Sequence, residues 1–267
     1  MKAVKKVLLS LVFPVLMFVV MLVITMNSDK CIVNGRNIFL GKDLVKQVVI
    51  NSCMTVCVAL AIWLQLKNGR FDFSGGASMV LAAIGAGYVG QHTGSMWAAF
   101  ATAIALGVVL SMGTAIVYIV GRLPIIICTI GMTLLYESLT YLLFGGQGIR
   151  GFYSTPALSQ MGRMPLVLLP AVLAMILFVV YTYFTASGRR GKILANNQSA
   201  GVNIGINENK NVFVSYIFSG LIIGLAAIVY ISQNDVTPQS GLATSSIMFS
   251  YIVPVFMGTF ILSLIHI

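Results

Sequence analysis

Residues 73–121 read FSGGASMVLAAIGAGYVGQHTGSMWAAFATAIALGVVLSMGTAIVYIVG and contain no charged side chain. A transmembrane helix needs about 20 mostly apolar residues, so the stretch is roughly twice as long as one span requires. The polar sequence QHTGS at residues 91–95 interrupts it and predicts a tight turn. The stretch therefore predicts two consecutive spans of an all-α, polytopic membrane protein.

The composition of the whole chain agrees with this prediction. Only 8% of the residues are charged and 58% are hydrophobic, whereas a soluble domain has about 25% charged residues. An ordinary soluble globular protein is therefore excluded. A net charge of +10 in a soluble protein would suggest nucleic acid as a partner. Here the basic residues fit the positive-inside bias of membrane proteins, and we expect no nucleic-acid partner.

Further apolar runs bring the predicted number of spans to eight. The other six are residues 7–26, 48–66, 123–144, 165–186, 212–232 and 247–261. The first run is longer than the apolar region of a signal peptide, and no small-residue cleavage site follows it. We therefore expect an uncleaved first span with the N-terminus in the cytoplasm.

The distribution of Lys and Arg favours this orientation. It places ten basic residues inside, namely Lys2, Lys5, Lys6, Lys67, Arg70, Arg122, Arg189, Arg190, Lys192 and Lys210. It places six outside, namely Lys30, Arg36, Lys42, Lys46, Arg150 and Arg163. The excess on the inner side is what the positive-inside rule requires. We expect Cys31, in the first outer loop, to react with an impermeant thiol reagent in intact cells.

Residues 187–211, SGRRGKILANNQSAGVNIGINENKN, form a long polar interruption with four basic side chains. The predicted topology places this segment in the cytoplasm as a loop. It could contact a soluble partner, or it could be a solvated loop anchored to the membrane surface by its basic residues.

Two carboxylates stand out because acidic residues are rare in this chain. Asp72 could cap a helix that begins near Ser74, or it could line a permeation path. Glu137 lies inside a predicted span, where a carboxylate suggests a functional site by default. It could bind the hydroxyl groups of a substrate, be protonated, or pair with Arg150 or Arg163.

Other chemistries lack the residues that they need. Cys53 and Cys57 are one helical turn apart, but no further ligands accompany them, so we expect no metal site. The Gly-Lys pairs at residues 41–42 and 191–192 lack the rest of a phosphate-binding loop, so the chain is not expected to hydrolyse ATP. No pairing of a nucleophile with a base is visible. We do not expect an enzyme.

Small residues along two predicted spans suit close packing of helices. They are Gly75, Gly76, Ala77, Gly85 and Gly87 in one span, and the pair Gly220 and Gly224 in the other.

Two motifs resemble those of the membrane permease subunits of ribose-type bacterial ABC importers. The first, GRFDFSGGAS at residues 69–78, resembles G-x-D-L-S-x-G, with Asp72, Ser74 and Gly76 at matching positions. The second, NNQSAGVNIGIN at residues 196–207, resembles G-N-E-x-A-A-x-x-x-G-I-N, and the span after it resembles Y-x-x-S-G-L-x-A-G-L-A-G. The matching residues there are Asn197, Ala200, Gly205, Ile206, Asn207, Tyr216, Ser219, Gly220, Leu221 and Ala226.

The chain also departs from the family pattern. Phe73 replaces a leucine, and Gln198 replaces a glutamate. The segment PVFMGTF at residues 254–260 keeps only Gly258 of a later glycine-rich segment. The closing pair of spans is absent, so we expect ten spans in the full-length protein. Residues 262–267, LSLIHI, resemble the translation of a sequencing-library adapter, and we expect them to be a non-native tail.

The resemblance implies that residues 1–261 form one ABC-importer transmembrane domain in the bacterial cytoplasmic membrane. Residues 187–211 would include a coupling helix that docks on a separate ATPase subunit. The residues assigned to this contact are Asn197, Gln198, Ser199, Ala200 and Gly205. ATP and Mg²⁺ would be bound by the ATPase, and this chain would bind no cofactor.

The resemblance also implies further partners and a class of substrate. A solute-binding protein would deliver the substrate from outside, and the permease would form a homodimer or pair with a homologous permease. The substrate would be a monosaccharide such as ribose, with nucleosides and other small polar solutes left open. A secondary transporter or channel is the alternative, and a membrane scaffold without transport activity is a third class. We expect Gln198→Arg to uncouple transport without disturbing the fold.

Overall fold

The computed structural model describes the backbone at residues 2–26, 32–33, 36–37 and 41–264. Side chains are described at residues 12, 15–26, 41 and 44–258. The labelling site Cys31 lies outside the described residues. The expected non-native tail at residues 262–267 also lies outside them, except for the backbone of its first three positions, and stays a prediction.

Helices dominate the described chain, which confirms the all-α class. Their bounds are α1 Lys2–Met26, α2 Lys42–Lys67, α3 Ser74–Thr93, α4 Met96–Gly121, α5 Ile125–Leu142, α6 Leu168–Val179, α7 Ala186–Asn196, α8 Gln198–Asn203, α9 Glu208–Ile231 and α10 Ala243–Leu264. A small antiparallel hairpin pairs Ile32–Val33 with Arg36–Asn37. The predicted turn at residues 91–95 is confirmed, because α3 ends at Thr93 and α4 begins at Met96.

The described residues contain four helices that are long and apolar enough to cross a membrane. They are Leu44–Lys67, Met96–Gly121, Ile125–Leu142 and Glu208–Ile231, and a bent pair formed by α6 and α7 could supply a fifth. Each of the eight predicted spans has a helical counterpart, but the count of eight is not confirmed. Helix α3 is long enough, yet its Gly and Ser residues make it less apolar than these four.

The chain divides into two compact units, one made of Met1–Ser52 and Val253–Ile267 and the other of Cys53–Ile252. The first unit contains α1, the hairpin, the N-terminal part of α2 and the C-terminal part of α10. In the second, α3 is buried over most of its length and packs against α4, α5 and α9. Small residues on α3 allow neighbouring helices to approach closely on several sides.

Glycines also bring α4 and α9 into close contact. A Cβ atom added to Gly107 would lie 2.5 Å from the carbonyl oxygen of Gly220 and 2.7 Å from the backbone nitrogen of Gly224. A side chain at Gly107 would therefore force the two backbones apart. This geometry confirms the packing interpretation of Gly220 and Gly224.

The prediction of a loop at residues 187–211 is wrong in its secondary structure. After α6 the chain forms a π-helical turn at Val180–Phe184 and bends by 74° into α7. The side chain of Thr185 caps α7 by accepting the N–H of Gly188. Helix α8 follows after Asn197, and α9 begins at Glu208. The polar composition correctly indicated exposure, but capping and packing make the segment helical.

Candidate functional site

The residues assigned to ATPase coupling all lie on α8 or at its ends. Asn197 caps the helix, because its Oδ1 accepts the N–H of Ala200 at 3.0 Å. Ser199 and Ala200 are exposed on the helix surface. Gly205 adopts a φ of +86°, a conformation that favours glycine, and the chain reverses there before α9. Gln198, Ser199 and Ala200 thus form the exposed first part of a short helix, with Asn197 before it and Gly205 after it.

Gln198 points back towards the transmembrane helices. Its Nε2 donates to Oε1 of Glu208 at 2.5 Å. The hydroxyl of Tyr118, near the end of α4, donates to the same oxygen at 3.3 Å. Glu208 therefore joins α8, α9 and α4. The sequence did not single out Glu208, since a first-turn glutamate is common at helix starts.

The first motif contacts residues 187–211, which we call the coupling segment after their predicted role. Gly69 has a φ of +75°, and a Cβ atom there would lie 2.8 Å from Cα of Ala195 on α7. Gly191, also on α7, packs directly against the carboxamide of Asn68, where a Cβ atom would overlap Oδ1. The turn between α2 and α3 thus packs directly against α7. Gly69 on the turn and Gly191 on α7 allow this close approach because neither has a side chain.

A buried arginine fixes the same turn to α9. Arg70 is 5% exposed; its Nη1 donates to Ser215 Oγ at 2.8 Å and its Nη2 to Asn211 Oδ1 at 2.7 Å. Asn211 in turn donates from Nδ2 to the carbonyl oxygen of Ser187 at the start of α7. Burial lowers the pKa of the Arg70 guanidinium. The sequence indicated Arg70 only as a basic residue on the predicted inner side, because its partners on α9 are more than 140 residues away.

Asn68 completes the polar connection. Its Nδ2 donates to the carbonyl oxygen of Leu64 at 2.7 Å, and its Oδ1 accepts from the hydroxyl of Tyr181 at 2.9 Å. Tyr181 belongs to the π-helical turn before α7. We call Asn68, Arg70, Tyr181, Asn211 and Ser215 the cytoplasmic joint, because together they connect the α2–α3 turn, the π-helical turn and α9 on the side that the predicted topology places in the cytoplasm.

Asp72, Ser74 and Gly76 lie at the start of α3. Oδ1 of Asp72 accepts both the N–H and the hydroxyl of Ser74 at 2.7 Å, as the capping alternative requires. The Ser74 hydroxyl also lies 3.1 Å from Oγ1 of Thr114 on α4. A Cβ atom at Gly76 would lie 2.5 Å from the carbonyl oxygen of Thr244 on α10. The three residues hold α3 close to α4 and α10.

Asp72 also lines a small, partly open pocket, together with Gln65 and Ser219. The amide oxygen and nitrogen of Gln65 have no hydrogen-bond partner within the described residues. Asp72 therefore both bonds the start of α3 and faces this pocket, and its role in a permeation path stays a prediction.

Glu137 is buried and caps the start of α10. Its Oε1 accepts the N–H of Thr244 at 2.8 Å and the Thr244 hydroxyl at 2.6 Å, and its Oε2 accepts the N–H of Leu242 at 2.8 Å. The carboxylate bonds this helix start rather than Arg150 or Arg163. Since an uncapped helix N-terminus leaves N–H groups unsatisfied, this arrangement gives Glu137 a structural role.

Among the described residues, no cluster of three or more His, Cys, Asp or Glu side chains could hold an ion. Cys53, Cys57 and Cys128 are buried free thiols.

Comparison with known proteins relates the chain to bacterial permeases. It is 27% identical over 217 residues to the Autoinducer 2 import system permease protein LsrC of Enterobacter sp. (strain 638), which covers 78% of this chain and 63% of the relative. It is 28% identical over 201 residues to the LsrD protein of the same kind of system in Photorhabdus temperata, which covers 72% and 60%. It is 26% identical over 187 residues to the Galactofuranose transporter permease protein YtfT of Escherichia coli (strain K12), which covers 68% and 54%.

The chain thus spans between 54% and 63% of the length of these relatives. No solved structure matches it. Residues 44–265 match the family described as "Branched-chain amino acid transport system / permease component". That match includes the α2–α3 turn, the coupling segment and α9, so the motifs and the joint between them lie within the family region. The chain belongs to this family of permease components and is a multi-pass protein of the bacterial inner membrane.

Proposed function

We propose that the chain is the membrane-spanning subunit of an ATP-driven importer for a small polar solute. The observation that carries this proposal is the exposed helix α8, which is connected through α7 to the cytoplasmic joint. A helix that is exposed on one side and connected to the transmembrane helices on the other can transmit the movement of a docked subunit. The relatives, whose names describe an import system and a transporter, support an importer.

The mechanism follows from the connections of α8. When an ATPase subunit closes on its nucleotide, it would displace α8. Gly201 on α8 packs against Leu194 on α7, so α7 would move with it. Helix α7 then acts on the α2–α3 turn through the Asn68–Gly191 contact and on α9 through Ser187 and Asn211. In this way one displacement reaches both α3 and α9.

The partners follow from the same mechanism. ATP and Mg²⁺ would be bound by the ATPase subunit, and this chain would not hydrolyse ATP. A solute-binding protein would present the substrate at the outer surface. Both LsrC and LsrD proteins are similar to this chain, which supports pairing with a second copy or with a homologous permease.

For the substrate we propose a small solute with several hydroxyl groups. The motifs resemble those of ribose-type importers, and one relative is named for galactofuranose. A monosaccharide is therefore the first class to test, with ribose and galactofuranose as the first two compounds.

The test places an arginine on α8. Ser199→Arg adds a long charged side chain to the exposed surface without touching Gln198, Glu208 or the cytoplasmic joint. We expect the protein to fold and uptake of the labelled sugar to fall at least tenfold, because the ATPase subunit can no longer dock. The matched control is Ser154→Arg, at an exposed serine in the predicted outer loop.

Uptake should be measured in cells that also express the neighbouring ATPase and binding protein, with co-purification of the ATPase as the second measurement. Normal uptake by Ser199→Arg would contradict the coupling role of α8. A secondary transporter would instead continue uptake after ATP depletion and stop when the ion gradient collapses. An ion-coupled transporter typically needs an ionisable residue within the membrane, and Glu137, the candidate for that role in this chain, caps α10 in the structure.

A further inference from the structure

A groove on the predicted cytoplasmic side lies where α7 and α9 both begin. Arg190 on α7 and Lys210 on α9 line it from two sides, and Ala186, Ile206 and Val214 supply its apolar surface. We call this the basic groove. It shares no lining residue with the pocket that contains Gln198 and Glu208.

The two cationic side chains of the basic groove have no anionic partner in the described part of the chain. No Asp or Glu lines the groove. The four described carboxylates bond elsewhere: Asp72 to Ser74, Glu137 to α10, Glu208 to Gln198, and Asp235 to the N–H of Gly151. Two cations that converge beside a helix N-terminus attract an anion more strongly than either does alone.

Two features indicate that the groove lies at the level of the membrane surface. The α6 segment bends by 74° at Thr185, so α7 turns away from the direction of the preceding span. Just before the bend, Tyr183 and Phe184 are 67% and 75% exposed, and exposed aromatic side chains are typical of the membrane–water interface. The anion that is available there in highest local amount is the phosphate of a lipid headgroup.

We propose that the basic groove binds the headgroup phosphate of an anionic phospholipid. Arg190 and Lys210 contact the phosphate oxygens, and the apolar surface of Ala186, Ile206 and Val214 lies beside the start of the acyl chains. Because the groove joins the first turns of α7 and α9, a bound lipid connects the coupling segment to a transmembrane helix from the membrane side. This site is separate from α8 and does not depend on the proposed transport function.

The test measures retention of phosphatidylglycerol by the purified permease in detergent, using native mass spectrometry. Phosphatidylglycerol competes with phosphatidylcholine for the permease in this measurement. Phosphatidylcholine has the same phosphate group but no net charge. We expect the double variant Arg190→Gln/Lys210→Gln to lower the affinity for phosphatidylglycerol by roughly 10- to 30-fold. The matched control, Arg189→Gln/Lys192→Gln, removes one Arg and one Lys from the same segment. It should change the affinity for phosphatidylglycerol by less than about twofold.

Circular dichroism confirms that both variants fold before their lipids are compared. Equal loss of lipid in the two variants would show general attraction to a basic surface and overturn the site. Displacement of the lipid by millimolar inorganic phosphate would show a site for soluble anions instead. If the groove variant keeps its lipid but no longer co-purifies with the ATPase subunit, the groove is a protein contact and the lipid assignment is wrong. Failure of the wild type to retain phosphatidylglycerol over phosphatidylcholine also overturns it.

Discussion

At the scale of single residues, Arg70 and Glu137 show how a membrane protein accommodates buried ionisable groups. Arg70 donates to the neutral side chains of Ser215 and Asn211. Glu137 accepts backbone N–H groups at the start of α10. In both cases the direct hydrogen-bond partners are neutral dipoles that the fold holds in place.

For Arg70 we predict that even a conservative change is destabilising. Lysine keeps the charge, but its ammonium group cannot reproduce the planar fork that reaches Ser215 and Asn211 together. Arg70→Lys therefore leaves one buried acceptor unpaired and should lower the free energy of unfolding by about 1–3 kcal/mol. Thermal melting in detergent measures the change. Arg163→Lys, at an exposed arginine with one bond to the Tyr153 carbonyl oxygen, is the control; an equal shift in both would count against the joint.

For Glu137 we predict a loss of stability rather than a specific loss of substrate binding. In Glu137→Gln an amide N–H replaces an acceptor oxygen and faces the N–H of Leu242 or Thr244. The expected cost is about 1–3 kcal/mol. Asp235→Asn, which alters an exposed carboxylate with one described bond to a backbone N–H, should have a much smaller effect. A raised KM for uptake with unchanged melting would instead place Glu137 on the substrate path.

At the scale of helices, contacts between glycines decide which pairs pack closely. Helices α4 and α9 approach through Gly107, Gly220 and Gly224, so that backbone atoms of one helix fill the space left by the other. In a membrane such contacts replace the hydrophobic effect as a source of association, because lipid tails are as apolar as the side chains.

We predict that Gly107→Leu prevents this packing. The new side chain would occupy the position of the Gly220 carbonyl oxygen, and α9 would have to move away from α4. Little folded protein should be recovered from membranes, as judged by size-exclusion chromatography in mild detergent. Gly131→Leu is the matched control on α5, since Gly131 is exposed and no atom lies within 4 Å of its added Cβ. Similar recovery of the two variants would contradict the packing argument.

The sequence predicted most helices but not the connections between them. The turn before Met96 and the bonds of Asp72 to Ser74 depend on residues that are adjacent in sequence. Local sequence patterns therefore indicated both features. Arg70 and Ser215 are 145 residues apart, and nothing in either local pattern identifies the other as its partner. The helical form of residues 186–196 could not be predicted because α7 is supported by Asn68 and Gly69, which are distant in sequence.

At the scale of the whole molecule, the orientation in the membrane stays a prediction that two cysteines can test. Ser154→Cys lies in the predicted outer loop and Ser199→Cys on α8, and both positions are exposed. After replacement of Cys31, the described thiols that remain are buried and should not react. We expect an impermeant maleimide to label Ser154→Cys in intact cells and Ser199→Cys only after the cells are opened. The reverse pattern would invert the topology.

The neutral partners of Arg70 have a consequence for reversibility. Separating a buried ion pair exposes two unmatched charges and costs about 3–5 kcal/mol, whereas a hydrogen bond to a charged group is worth about 1.5–3 kcal/mol. Since Asn211 and Ser215 carry no charge, the guanidinium can leave one of them while the other still holds it. The contact between the α2–α3 turn and α9 can therefore break and re-form repeatedly. A buried ion pair at the same place would keep the permease in one state.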